Sequence, residues 1–302
     1  MRLFRSLVIM SAIVVSGLTA TISSGQTLKH RIASNEELSN PWSLTPWSLD
    51  SASLFLFRSD PNSKSLGPEF DDLSYGFAYG YLIRLERQLS HRARFETRYF
   101  GTDDWDDTDS IATPVGPGQS GLASRLHSVE LNVNQMVSED WEFIAGFRYL
   151  RLQDKFSLAL PAAAATESYH TQASNDLFGA QIGARARLWN GQRFSMTTDV
   201  KTGLFGNGAH QRTTAQFPAP GASASVNDFE DSVAFAGEWT LQGNYKLTDQ
   251  WSVDIGYQLL WLDGVAEGTE QLAASNPFTN SGIDTDGDAF YQGFLVGIDY
   301  AW

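Results

Sequence analysis

Apolar and polar side chains alternate with a period of two from about residue 50 to the end of the chain. Successive side chains of a strand point to opposite faces, so this pattern predicts strands with one greasy face. The clearest case is the last: Phe294, Val296, Ile298, Tyr300 and Trp302 share one face, and Leu295, Gly297, Asp299 and Ala301 the other. One face suits hydrocarbon and the other water. The same reading predicts strands over 52–59, 73–88, 92–102, 125–137, 141–156, 176–189, 193–206, 232–247, 250–263 and 289–302. That makes about ten strands, within a range of roughly eight to twelve.

The connections alternate in length. Ser90-His91, Ser138-Glu139-Asp140, Asn190-Gly191-Gln192 and Thr248-Asp249 are short and built of turn-forming residues, as hairpins require. The stretches 103–124, 157–175, 207–231 and 264–288 are long and rich in Gly, Pro, Ala, Ser, Thr and Asp, so they read as loops. Transmembrane barrels have short periplasmic turns and long extracellular loops. The predicted fold class is therefore all-β, a transmembrane antiparallel up-and-down β-barrel. An even strand count puts both chain termini on the periplasmic side of an outer membrane.

The two faces differ in chemistry. The outward face carries Tyr75, Phe77, Tyr79, Tyr81, Ile83 and Leu85, then Val129, Leu131, Val133, Trp141, Phe143, Phe147 and Tyr149, and continues through the later strands to Trp302. Outer-membrane lipids are the partner this face requires. The lumen face carries Arg84, Glu86, Arg94, Glu96, Arg98, Glu130, Glu142, Arg148, Arg185, Arg187, Asp199, Lys201, Glu238, Lys246, Asp254 and Asp299. A barrel of about ten strands is narrow, so these charges must lie close and pair across it. They form either a structural plug or the lining of a water-filled pore, and both readings stay open at this point.

The amino end has Arg2 and Arg5 ahead of an apolar run, Leu7 to Val15, and a small polar stretch to Gly25. That is the build of a secretory signal peptide, residues 1–25, cut after Ala20 or Gly25. A periplasmic segment over 26–50, with Trp42, Pro46 and Trp47, and a barrel over 51–302 complete the expected organisation. Residue types agree: 13% aromatic content, 26 glycines and a mean hydropathy of −0.25 leave no second apolar run long enough for a membrane helix. With no cysteine, disulfides and thiolate metal sites are excluded. The net charge of −14 opposes nucleic acid as a partner.

Candidate chemistry is sparse, and no cofactor is expected. Asp103, Asp104, Asp106 and Asp107, with Asp109, crowd the first long connection and are candidate ligands for divalent cations, although a solvated acidic loop needs none. Asp284-Thr285-Asp286-Gly287-Asp288 resembles part of a calcium loop, but the twelfth position is Leu295, so turn formation is its expected role. Asp103, Asp104, His127, His170, His210 and Asp263 are candidates for a rim hydrolase, without the spacing motif that would demonstrate one. A secreted, soluble β-sheet binding module is the remaining alternative. The expectation is a protein that is not an enzyme.

The stretches ARFETRYFG from Ala93, ELNVNQMVSEDWEFIAGFRYLRL from Glu130, LFGAQIGARARLW from Leu177, Gly237 to Trp261 ending in GYQLLWLDG, and FYQGFLVGIDYAW from Phe290 carry a family likeness. The chain resembles the porin-like outer-membrane β-barrel family abundant in planctomycete-type bacteria. The resemblance implies an outer-membrane location and a terminal strand, Phe294 to Trp302, read by the barrel assembly machinery. It implies no catalytic residue and no substrate.

Overall fold

A computed structural model describes residues 47–61, 73–103, 105–113, 115–161, 166–217, 223–274 and 282–302. The segment expected as a signal peptide, residues 1–25, together with Trp42, Pro46 and Asp104, lies outside the described residues. The chain divides into two units, residues 1–44 and 45–302, and the described residues belong to the second.

Eleven antiparallel strands form one sheet: β1 (Trp47–Arg58), β2 (Phe77–Gln88), β3 (Ala93–Thr102), β4 (Trp105–Thr113), β5 (Gly116–Met136), β6 (Trp141–Pro161), β7 (Thr166–Asn190), β8 (Phe194–Gln216), β9 (Ser223–Lys246), β10 (Trp251–Val265) and β11 (Gly287–Ala301). Neighbours in sequence pair with each other except β3 and β4, β1 pairs with β11, and β3 pairs with β5, so the sheet closes on itself. Both β3 and β4 run along the edge of β5, β3 beside Gly-free positions 127–135 and β4 beside 116–124. They are one wall position broken near Asp103, which leaves ten positions around the ring. Closure removes the exposed edges a sheet would otherwise present. At the seam, Trp47 and Trp302 exchange two backbone hydrogen bonds of 3.0 Å.

The short connections fall at one end of the cylinder, here the turn end. Leu89 and Ala93, Val137 and Trp141, Gly191 and Phe194, and Leu247 and Trp251 close these turns through backbone hydrogen bonds. The opposite, hairpin end differs from expectation. The stretches expected as loops over 103–124, 157–175 and 207–231 are largely strand, because β4 to β9 run on well past the apolar belt. Their outward residues there, such as Gln153, Ser174 and Thr214, are polar. Without hydrocarbon outside, nothing demands apolar residues at alternate positions, so the period-two signal fades while the backbone ladder persists. At the amino side, β1 starts at Trp47, so the last four positions of the segment expected over 26–50 belong to the wall.

Two glycines turn the chain inward. Gly76 has φ +60°, a left-handed conformation that side-chain-bearing residues avoid. It breaks the alternation ahead of β2, so Tyr75, expected outside, is buried at 1% exposure beneath the Arg58 guanidinium, 4.1 Å from its ring centre. Gly264, at φ +82°, sits in a register shift between Asp263 and Val265. Beyond it the chain enters the barrel, where Val265, Ala266, Glu267 and Thr269 are buried and a short helix, α1 (Gly268–Ala274), packs on β6 and β7. Asn175 on β7 clasps Ala266 through both its backbone groups, at 2.7 and 2.8 Å. The last of the four expected loops is thus partly an internal stopper.

Candidate functional site

The outer wall is a belt of exposed apolar side chains. Tyr79, Tyr81, Ile83, Leu131, Phe147, Phe178, Ile182, Leu204, Ile255, Phe294, Val296 and Ile298 all face out and are exposed. At the turn end it finishes in aromatics: Trp251 packs at a tilt against Tyr300, Tyr300 stacks on Trp302, and Arg87 lies over Trp47. Aromatic girdles of this kind sit at membrane interfaces.

Inside, charged side chains fill the cylinder in three levels. At the turn end Asp50, Arg84, Glu86, Arg94, Glu142, Arg185, Arg187, Asp254 and Asp299 line an open vestibule of about 260 Å³. Arg94 bridges Glu86 at 3.1 Å and pairs with Glu142, while Arg185 reaches Asp199 at 2.8 Å and Glu96 at 3.0 Å. Arg84 stands 3.6 Å from Asp50, and the Arg187 guanidinium donates to the Glu139 carbonyl at 3.1 Å.

The middle level spans the lumen. Arg98 on β3 bridges Glu130 and Glu238, both at 2.6 Å, and Glu238 stands on β9, half-way round the ring. Arg148 on β6 reaches Glu238 at 2.8 Å, and Lys201 on β8 reaches Glu130 at 2.7 Å. Asn132 and Gln181 donate to Glu130 as well, and Gln258 accepts from Arg98. All six charged groups of this level, counting Glu96, are at most 5% exposed. In so little water each charge must be compensated: the three cations share Glu130 and Glu238, and Glu96 is bridged by Arg185 from the level below.

The third level lies toward the hairpin end and holds residues that sequence reading missed. Arg58 bridges Asp154 at 2.6 Å and Glu267 at 2.8 Å, with Ser124 hydrogen-bonded to both Arg58 and Asp154. Arg58 shares the inward parity of Leu54 and Leu56, and Asp154 that of Arg148, so alternation could have found both. Glu267 carries no strand signal. Burial pushes its carboxyl up to about 8; the Arg58 guanidinium opposes this, and the Asp154 and Glu270 carboxylates add to it. Leu54, Leu56, Phe100, Trp105, Phe156 and Tyr291 pack around the triad as an apolar core.

Other expected sites are dispersed. Lys246 stands at the mouth, half exposed and paired with Asp249 of the turn at 2.9 Å, so it does not line the lumen. Lys246 is the last residue of β9, where inward parity gives way to the turn, and this explains the misplacement. Asp106 shares the outward face of β4, whereas Asp107 and Asp109 share the inward face of Trp105 and Ile111, and Asp103 is exposed between the strands. Pleating thus splits the acidic run expected in a loop, and no group of three metal-ligating side chains occurs among the described residues. His127, His170 and His210 face out from β5, β7 and β8; His127 meets the Tyr99 hydroxyl at 3.0 Å and His210 packs on Phe229. Asp284 accepts from the Asp286 amide at 3.0 Å, the turn chemistry expected of that run.

A closed antiparallel cylinder with a greasy belt, aromatic girdle and ionic interior defines an outer-membrane β-barrel. The chain belongs to the family described as Putative beta barrel porin-7 (BBP7), whose sequence model matches residues 100–302. It is an outer-membrane, porin-like protein, set among lipids. None of the curated proteins matches the chain. Among solved structures it is similar to the outer membrane protease OmpT from Escherichia coli, at 8% identity and TM-score 0.47, covering 85% of this chain and 96% of that one. It is also similar to the translocator domain of the autotransporter NalP from Neisseria meningitidis, at 9% identity and TM-score 0.44, covering 88% and 91%. For Ail of Yersinia pestis the figures are 8%, 0.33, 85% and 98%. None of their activities passes to this chain at such identities.

Proposed function

We propose that this barrel is a closed, structural member of its porin-like class, with the turn end and both termini in the periplasm and the hairpin end outside. The observation that carries the reading is the middle level, where Arg98, Arg148, Lys201, Glu130 and Glu238 join opposite walls while almost wholly buried. Side chains so joined leave no continuous water column, and α1 with its flanking residues adds a second obstruction. The lumen charges are bracing, and the vestibule below them is a blind pocket. No catalysis is assigned, since the candidate rim histidines stand on separate strands with outward side chains. The terminal strand, Phe294 to Trp302, serves as the recognition signal for the barrel assembly machinery. No cation at the acidic run is needed for any of these roles.

Planar-bilayer recording tests the reading. The refolded wild-type protein is expected to give no steady conductance. Steady wild-type conductance in monovalent salt overturns the closed reading.

A further inference from the structure

Charge on the outer wall is unevenly placed. Beyond the apolar belt, at the hairpin end, the outward positions of β5 to β8 carry Arg125, Arg151, Lys155 and Arg212 against one carboxylate, Asp176. All four cations are exposed. For a chain with a net charge of −14 this local excess of cations runs against composition. Acidic residues resume only on the flanking strands, with Asp106 on β4 and Asp231 on β9.

Register fixes the arrangement. His127 lies opposite Arg151 and Arg151 opposite Asp176, while Gln172 stands between Lys155 and Arg212. Arg151 is 3.6 Å from Asp176, whose carboxylate accepts from the Tyr149 hydroxyl at 2.5 Å, so this guanidinium is tethered at the belt edge. One outward position toward the turn end, Val129 and Phe178 are exposed as part of the belt, and Phe147 follows one position further on. The patch therefore stands at headgroup height. From β5 to β8 is three strand spacings, about 14 Å, and Arg151 to Lys155 is four residues, about 13 Å. A single phosphate is too small to engage that area. Guanidinium groups favour phosphate oxygens, and cations at a membrane boundary attract anionic headgroups.

We propose that this face binds the headgroup of a lipid carrying more than one phosphate, in the leaflet at the hairpin end. That leaflet is the outer one if the orientation given under Proposed function is right. The lipid's chains lie along the exposed belt of β5 to β8, and its phosphates bridge the cations of neighbouring strands.

Native mass spectrometry of the refolded full chain, with diphosphoryl lipid A, monophosphoryl lipid A or phosphatidylglycerol added at equal concentration, tests the proposal. Retention of diphosphoryl lipid A should exceed that of phosphatidylglycerol by at least about tenfold, with the monophosphoryl form between. Arg125→Gln/Arg151→Gln/Lys155→Gln should abolish the preference, and Arg92→Gln/Arg193→Gln at the turn end should keep it. Equal retention of all three lipids, or a triple variant that keeps the preference, overturns the proposal. Orientation is read separately by labelling Ser225→Cys with a membrane-impermeant maleimide. Labelling confined to lysed cells refutes the orientation, and leaves lipid preference in detergent to stand or fall alone.

Discussion

Replacing Glu130 with alanine probes the ion-pair level at its centre. The side chain is fully buried and accepts from Arg98 at 2.6 Å, Lys201 at 2.7 Å, Gln181 at 2.8 Å and Asn132 at 3.0 Å. Its removal leaves Glu238 as the one carboxylate shared by Arg98, Lys201 and Arg148, because Glu96 is engaged by Arg185, Asn132 and Asn134. Deleting one member of a buried pair costs about 3–5 kcal/mol, chiefly by stranding the opposite charge. The folded-to-unfolded ratio should thus fall by roughly two to four powers of ten. Urea titration of the refolded protein in vesicles, followed by tryptophan fluorescence and by heat-modifiable gel mobility, measures it. Adding Lys201→Ala to the variant should recover at least about 1 kcal/mol, since one stranded cation is then gone. A loss below about 1 kcal/mol is the scale of a solvated pair and would refute the dry, braced lumen.

Glu267 makes stability depend on pH. Its carboxyl is held at about 8 against an ordinary 4.5, so the folded protein takes up this proton more readily than the unfolded chain. The sign follows: stability is highest below the unfolded value, declines as pH rises from about 4.5 to about 8, and is level above. Glu267→Gln should flatten the difference in urea midpoint between pH 5 and pH 9; an unchanged difference contradicts the assignment. Deleting Trp302, or introducing Ile298→Asp on the lipid face, should lower the amount of barrel inserted into the outer membrane, because one loses the seam contact with Trp47 and the other puts a charge in hydrocarbon. Quantitative blotting of outer-membrane fractions checks this, and wild-type levels would count against the terminal strand as a signal.

Much of the wall was legible because lipid imposes a rule on every strand that crosses it. The outward residues of β10 from Trp251 to Trp261 and of β11 from Phe294 to Tyr300 could be read directly, and the four short turns fell where Asn, Gly, Ser and Asp cluster. The rule lapses outside the membrane. There β6 to β9 continue as strands through Ser, Thr, Ala and Gln, and the acidic run after Gly101 became a strand with carboxylates on both faces. Tyr75 and Lys246 were misplaced for a related reason: parity holds only along unbroken wall, and Gly76 separates the first from β2 while the turn begins just after the second.

The amino-acid sequence by itself determined the barrel, its lipid-facing belt and the inward set of charges, since alternation with apolar content is a local property that each strand states alone. Only the tertiary structure decided that these charges meet across the lumen. Arg98 and Glu238 are 140 residues apart, and Arg58 and Glu267 are 209. Their pairing depends on ring closure and strand stagger, which no single strand encodes. The same closure brings cations of β5, β6 and β8 onto one outward face, far apart along the chain and adjacent only in the folded wall.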